Sequence, residues 1–187
     1  MFMEIQKIGK LTALFSFIVG TILLLIYYQT MSVEFAVFSY FLLMVIGVIN
    51  LAILVILIFR YYRNSINKKE ELKTIGILLL NIPVVVFYFY IVVILTSIIR
   101  LTITNKTNTD LENISISGCE EKKIKLLKQN ESETIWIKIP NDCSIDMIYK
   151  LNNFTKKENI FGYVTNMMGQ KVEYRLGIDN KPIDTEF

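Results

Sequence analysis

The chain has no histidine. That removes the side chain most used for proton transfer near neutral pH and for zinc or copper ligation. Metalloenzymes and histidine-dependent hydrolases are therefore poor readings. There are only two cysteines, Cys119 and Cys143, neither near the N-terminus. A lipid-anchored N-terminal cysteine is not expected, and a catalytic thiol would lack its usual base. A phosphate-cradling glycine loop, a nucleophile elbow, zinc-ligand spacing, internal repeats and low-complexity segments are all missing. The adjacent carboxylates Glu120 and Glu121 would point to opposite faces of a strand, not into one site. The expectation is a protein that is not an enzyme, with no catalytic residue, metal or cofactor.

Charge is missing from long stretches. Residues 75–99 form a run of 25 without Asp, Glu, Lys or Arg, flanked by Lys73 and Arg100. At about 1.5 Å per residue, a helix of that length exceeds the roughly 30 Å of a bilayer's hydrocarbon core. Residues 35–59 repeat the pattern, and residues 11–28 make a minimal span. With 53% hydrophobic residues overall, an integral membrane protein is the expected class. A signal peptide at the N-terminus is disfavoured because the apolar stretch is long and no small-x-small cleavage site follows Tyr27 and Tyr28.

The expected organisation is a three-span transmembrane domain over 1–99, with spans 11–28, 35–59 and 75–99, followed by a second domain over 100–187. The first two spans form a helical hairpin joined by 29–34. The loop 60–74 carries Arg60, Arg63, Lys68, Lys69 and Lys73, which places it in the cytoplasm by the positive-inside rule; Lys7 and Lys10 agree two spans earlier. The N-terminus is then cytoplasmic, and the segment from Arg100 lies outside the inner (plasma) membrane, in the periplasm or extracellular space. Tyr27, Tyr28, Tyr61 and Tyr62 suit interfacial anchors. The formal net charge is +3, and the excess lies wholly in the membrane half, so nothing points to nucleic acid.

Between the spans' ends the ionisable groups are gone, which argues against a proton-coupled transporter or pump. What the spans do contain is Asn50, Asn81, Tyr88 and Tyr90. Thr74, Asn81 and Tyr88 recur every seven residues and share one stripe of the third span. Asn50 and Asn81 each sit on the cytoplasmic side of their span's midpoint, close enough in depth to bond to each other as an intramembrane polar seam. A pore or lipid pocket is the competing use of that seam. Pro83 frees the carbonyl of Leu79, so a bend is expected there.

After residue 100 the apolar period changes to two. Seven strands are expected, over 100–104, 111–117, 122–127, 133–139, 143–151, 158–165 and 171–178, separated by segments rich in Asn, Asp, Ser and Gly. They suggest a small all-β antiparallel sandwich, immunoglobulin-like in architecture, with a small barrel as the alternative. The tail after 178 is expected to fray. Cys119 and Cys143 fall at the starts of two predicted strands, and outside the membrane they are expected to form a disulfide.

Four N-x-S/T triplets, at Asn105, Asn113, Asn130 and Asn153, are read as chance in a chain rich in these residues. In the stretch 133–139, Ile135, Ile137 and Ile139 share one face, which leaves Trp136 on the other with Thr134 and Lys138. Trp136 is the candidate interface residue. Resting on lipid headgroups, packing under a loop and contacting a partner are all open to it.

The function expected is recognition or assembly in a bacterial envelope. The chain would be an accessory subunit of an envelope complex, or an oligomeric membrane sensor of the kind used in bacterial immunity and phage defence. Its partners would be membrane lipid and other membrane or envelope proteins, with a homo-oligomer as one form. The alternative is a small oligomeric channel or pore-forming effector.

Overall fold

The computed structural model describes residues 2–63, 68–151, 154–177 and 182–184, with side chains for 5–63, 68–151 and 154–177. Asn153 and part of the 60–74 loop lie outside the described residues. The chain divides into two compact units, Met1–Val92 and Val93–Phe187.

The first unit is helical: α1 (Phe2–Thr30), α2 (Val33–Tyr62) and most of α3 (Lys68–Thr96). All three helices are long and apolar enough to cross a membrane. The hairpin joining α1 to α2 is tighter than the six-residue connection expected. Met31, at φ 51°, takes the left-handed conformation that ends α1; its N–H bonds the Tyr27 carbonyl at 2.7 Å. Ser32 then caps α2 by accepting the Phe35 N–H at 3.3 Å, which satisfies one of the orphan donors of a helix start.

Over its apolar length each helix presents a narrow inward stripe and leaves most other side chains exposed. On α1 the stripe runs through Gly9, Ala13, Ser16, Gly20, Leu23 and Tyr27. Its small residues let the neighbours come close: a β-carbon on Gly9 would lie 2.8 Å from Thr74 and 3.3 Å from Leu57, one from each of the other helices. Tyr27 is buried in this stripe, which does not suit the interfacial anchor expected there, whereas Tyr28 is exposed.

Two of the expected limits move. The helical start of α3 lies at Lys68, inside the segment read as the 60–74 loop. The apolar run read as a span to residue 99 stops being helical at Thr96, and Ile98 and Ile99 already belong to β1. Composition could not separate them, because an inward-facing strand residue and a lipid-facing helix residue are both aliphatic. Pro83 lies inside α3, which continues through it.

Among the described residues the second unit has eight strands: β1 (Ile98–Asn105), β2 (Leu111–Gly118), β3 (Lys122–Leu127), β4 (Ser132–Lys138), β5 (Cys143–Leu151), β6 (Phe154–Val164), β7 (Lys171–Leu176) and β8 (Pro182–Asp184). They form two four-stranded sheets, ordered β4-β1-β7-β8 and β3-β2-β5-β6. One apolar core serves both. Ile99, Leu101, Ile103, Ile137, Val172 and Leu176 from the first sheet meet Ile114, Ile116, Ile145, Met147 and Val164 from the second.

Three features depart from expectation. β1 and β7 pair in parallel, where an all-antiparallel arrangement was expected. β6 begins at Phe154, four residues before the predicted start; residues 155–158 are polar on both faces and so carry no alternation to read. The tail expected to fray contributes β8, paired antiparallel to β7.

Candidate functional site

Alternation along β4 sends Ile137 and Ile139 into the core and Trp136 to the opposite face, where it is half-buried. The register with β1 sets Trp136 beside Arg100, and the register with β7 sets Arg100 beside Lys171. Arg100 lays its guanidinium over the indole, 5.2 Å from the ring centroid. That is a cation–π arrangement, in which the ring's negative face holds the cation. The outer face of this sheet therefore carries a row of one aromatic and two basic residues. Thr102 and Thr134 continue it with hydroxyls 2.9 Å apart. Sequence parity placed Trp136 on this face; Arg100 and Lys171 were not anticipated beside it, because cross-strand partners depend on register.

Cys119 and Cys143 are joined in a disulfide. Cys119 follows the last residue of β2, not the start of β3, and Cys143 opens β5. Since β2 and β5 are paired, the bridge staples neighbours within one sheet. Beside it, the Glu120 carboxylate accepts the Lys138 backbone N–H at 2.8 Å and lies 2.9 Å from the Lys122 ammonium. These contacts, the backbone bond first, hold its pKa below the usual carboxylate range.

The expected seam is present with different partners. Asn50 on α2 donates to the Ser16 hydroxyl of α1 at 2.6 Å and to its own helix at the Ile46 carbonyl. Asn81 on α3 donates to the Ala13 carbonyl of α1 at 3.1 Å. The Tyr88 and Thr21 hydroxyls are 2.6 Å apart. Asn50 and Asn81 thus each bond α1 and not one another, which corrects the expected pairing; with small residues along its stripe, α1 accepts both neighbours. The helical start of α3 adds ion pairs that sequence reading missed. Lys10 meets Glu70 at 2.9 Å, and Arg60 meets the fully buried Glu71 at 3.2 Å.

Two polar clusters inside the β unit were also unanticipated. Asn105 is fully buried, which removes it as a glycosylation acceptor in the folded chain. Glu158 on β6 accepts a hydrogen bond from each of two buried phenols, Tyr149 of one sheet and Tyr174 of the other. Burial first, then the Glu158 carboxylate, pushes both tyrosines well above their ordinary pKa. A folded pKa raised above the unfolded value near 10 means stability that is fully present below about pH 10 and falls as pH rises beyond it. Thermal melts from pH 8 to 11.5, followed by the fluorescence of the single tryptophan, should show that alkaline loss. Tyr149→Phe with Tyr174→Phe should be flatter over the same range. Parallel curves for the two proteins would mean that the phenols do not couple to folding.

No family model matches the chain, and no curated protein does. Among solved structures, a protein from Eubacterium rectale determined by NMR is similar over 49% of this chain and 91% of its own length, at 13% identity and a TM-score of 0.32.

Proposed function

We propose that the chain is a non-catalytic, multi-pass inner-membrane protein. Its β unit, an immunoglobulin-like sandwich, is displayed outside and recognises another envelope or membrane protein. The N-terminus and the basic segment before Lys73 are cytoplasmic. The observation that carries this reading is the row Trp136, Arg100 and Lys171 on the outer face of one sheet, held by strand register and by the guanidinium on the indole. Tryptophan and arginine are the residues most enriched among those that dominate interface energies. The intramembrane amides support the assembly reading over the channel reading, since Asn81 donates to the Ala13 backbone within the bundle.

The test uses intact cells and a membrane-impermeant photo-crosslinker carried on a cysteine placed at Thr134, on the same face. It should capture a partner from the outside. Trp136→Ala should reduce capture at least ~30-fold, the equivalent of about 2 kcal/mol, at unchanged membrane expression. Equal capture by the variant would move the recognition surface elsewhere, and a cysteine at position 134 that the impermeant reagent labels only after the cells are opened would reverse the orientation.

A further inference from the structure

The last turn of α3 is built into the β unit. The Thr96 carbonyl accepts the Gly169 N–H at 2.7 Å, and the Ser97 carbonyl accepts the Ile139 N–H at 2.9 Å. The Ser97 hydroxyl donates to Asn166 Oδ1 at 2.7 Å. The loop between β6 and β7 therefore runs directly against the helix end. Gly169 makes that approach possible: a β-carbon there would meet the Ile98 carbonyl oxygen and the Thr96 carbonyl carbon at 2.6 Å.

This loop carries two exposed methionines. Thr165 accepts the Met168 N–H at 3.1 Å, closing a turn in which Met167 sits at φ 70°, a conformation that ordinarily favours Gly or Asn. Met167 is 69% exposed and Met168 43%. Two large apolar side chains thus stand in the open at a turn tip. The helix from residue 75 to Thr96 is about 33 Å long at 1.5 Å per residue, close to the hydrocarbon thickness of a bilayer. Thr96 then lies at the edge of the hydrocarbon, and the loop bonded to it lies at the same depth.

We infer that the loop 165–170 is a membrane foot, in which Met167 and Met168 enter the boundary between headgroups and acyl chains of the leaflet in which α3 ends at Thr96. The inference rests on the membrane reading of the helices. The occupant is the bilayer itself, given by continuity with α3. Methionine suits the place because its flexible, polarisable chain fits irregular apolar surroundings. Charge contributes little selectivity: Arg100, Lys138 and Lys171 are accompanied at this end by Glu120, Asp142 and Glu173, so the foot enters a zwitterionic bilayer without requiring anionic lipid.

The test is depth-dependent quenching on the full chain, disulfide intact, in phosphatidylcholine vesicles. A polarity-sensitive fluorophore is attached to Met167→Cys. Phe87→Cys, near the middle of α3, marks the hydrocarbon. Lys128→Cys marks the opposite end of the β unit, since the eight residues from Ile98 to Asn105 rise ~23 Å along β1 over their seven steps. Near-UV circular dichroism confirms that each labelled protein folds as wild type. The Met167 label should emit to the blue of the Lys128 label and be quenched at least twofold more by nitroxide lipids, the shallow nitroxide being more effective than the deep one. A Met167 label that behaves like the Lys128 label while the Phe87 label is quenched would overturn the foot alone. An unquenched Phe87 label would overturn the membrane reading and the foot with it.

Discussion

Asn105→Leu should destabilise the β unit by roughly 3 kcal/mol or more, although it nearly conserves volume and adds apolar surface to a buried site. The native amide uses all of its hydrogen-bonding capacity. Its nitrogen donates to the carbonyls of Thr109 and Leu127, both at 2.9 Å. Its oxygen accepts the Thr107 N–H at 2.9 Å and the Thr107 hydroxyl at 2.6 Å. The side chain thereby ties the end of β1, in one sheet, to the last residue of β3, in the other. Leucine would withdraw one bond each from the Thr107 N–H and the Leu127 and Thr109 carbonyls, of which the last keeps the Thr107 hydroxyl at 2.8 Å, and a buried unsatisfied group costs about 1–3 kcal/mol. Thr107→Val removes one of the four bonds and should cost about 1 kcal/mol. Denaturant titration of the full chain in detergent, read by Trp136 fluorescence, gives both values. Equal effects from the two variants would show that the amide does not link the sheets.

Cys119→Ser with Cys143→Ser should cost about 3 kcal/mol of β-unit stability. A cross-link stabilises chiefly by shrinking the unfolded ensemble, and closing a loop of this length (sequence separation 24) is worth about that much in the chain-entropy estimate. The native sheet should survive, because β2 and β5 remain paired along their length and the core beneath them draws on both sheets. The unfolding midpoint should fall while the slope of free energy against denaturant rises slightly, as the longer unfolded chain exposes more surface. Reductant added to the wild type should reproduce the shift. A midpoint unmoved by either treatment would mean that the core alone sets stability.

The two effects differ in what the sequence could announce. A pair of cysteines in a polar, strand-like segment carries its own proposal, because only two thiols exist to be joined. An asparagine followed two residues later by threonine announces a glycosylation triplet more readily than a buried cross-link. Asn105 becomes legible only when the chain returns, some twenty residues later, and presents the Leu127 carbonyl to it.

The sequence by itself determined what depends on period, length and the absence of charge: three apolar helices, the change to strands near residue 100, the parity that puts Trp136 opposite Ile137 and Ile139, and the union of Cys119 with Cys143. These are local or compositional properties, readable one segment at a time. Tertiary structure decided everything set by register and by which elements become neighbours. It placed Arg100 on the indole, turned Asn50 and Asn81 toward α1, buried Glu71 against Arg60, paired β1 with β7 in parallel, and brought Glu158 between Tyr149 and Tyr174. It also ended α3 at Thr96: the next aliphatic residues gain more by facing the core of the β unit than by extending a helix, and hydropathy assigns the same value to either fate.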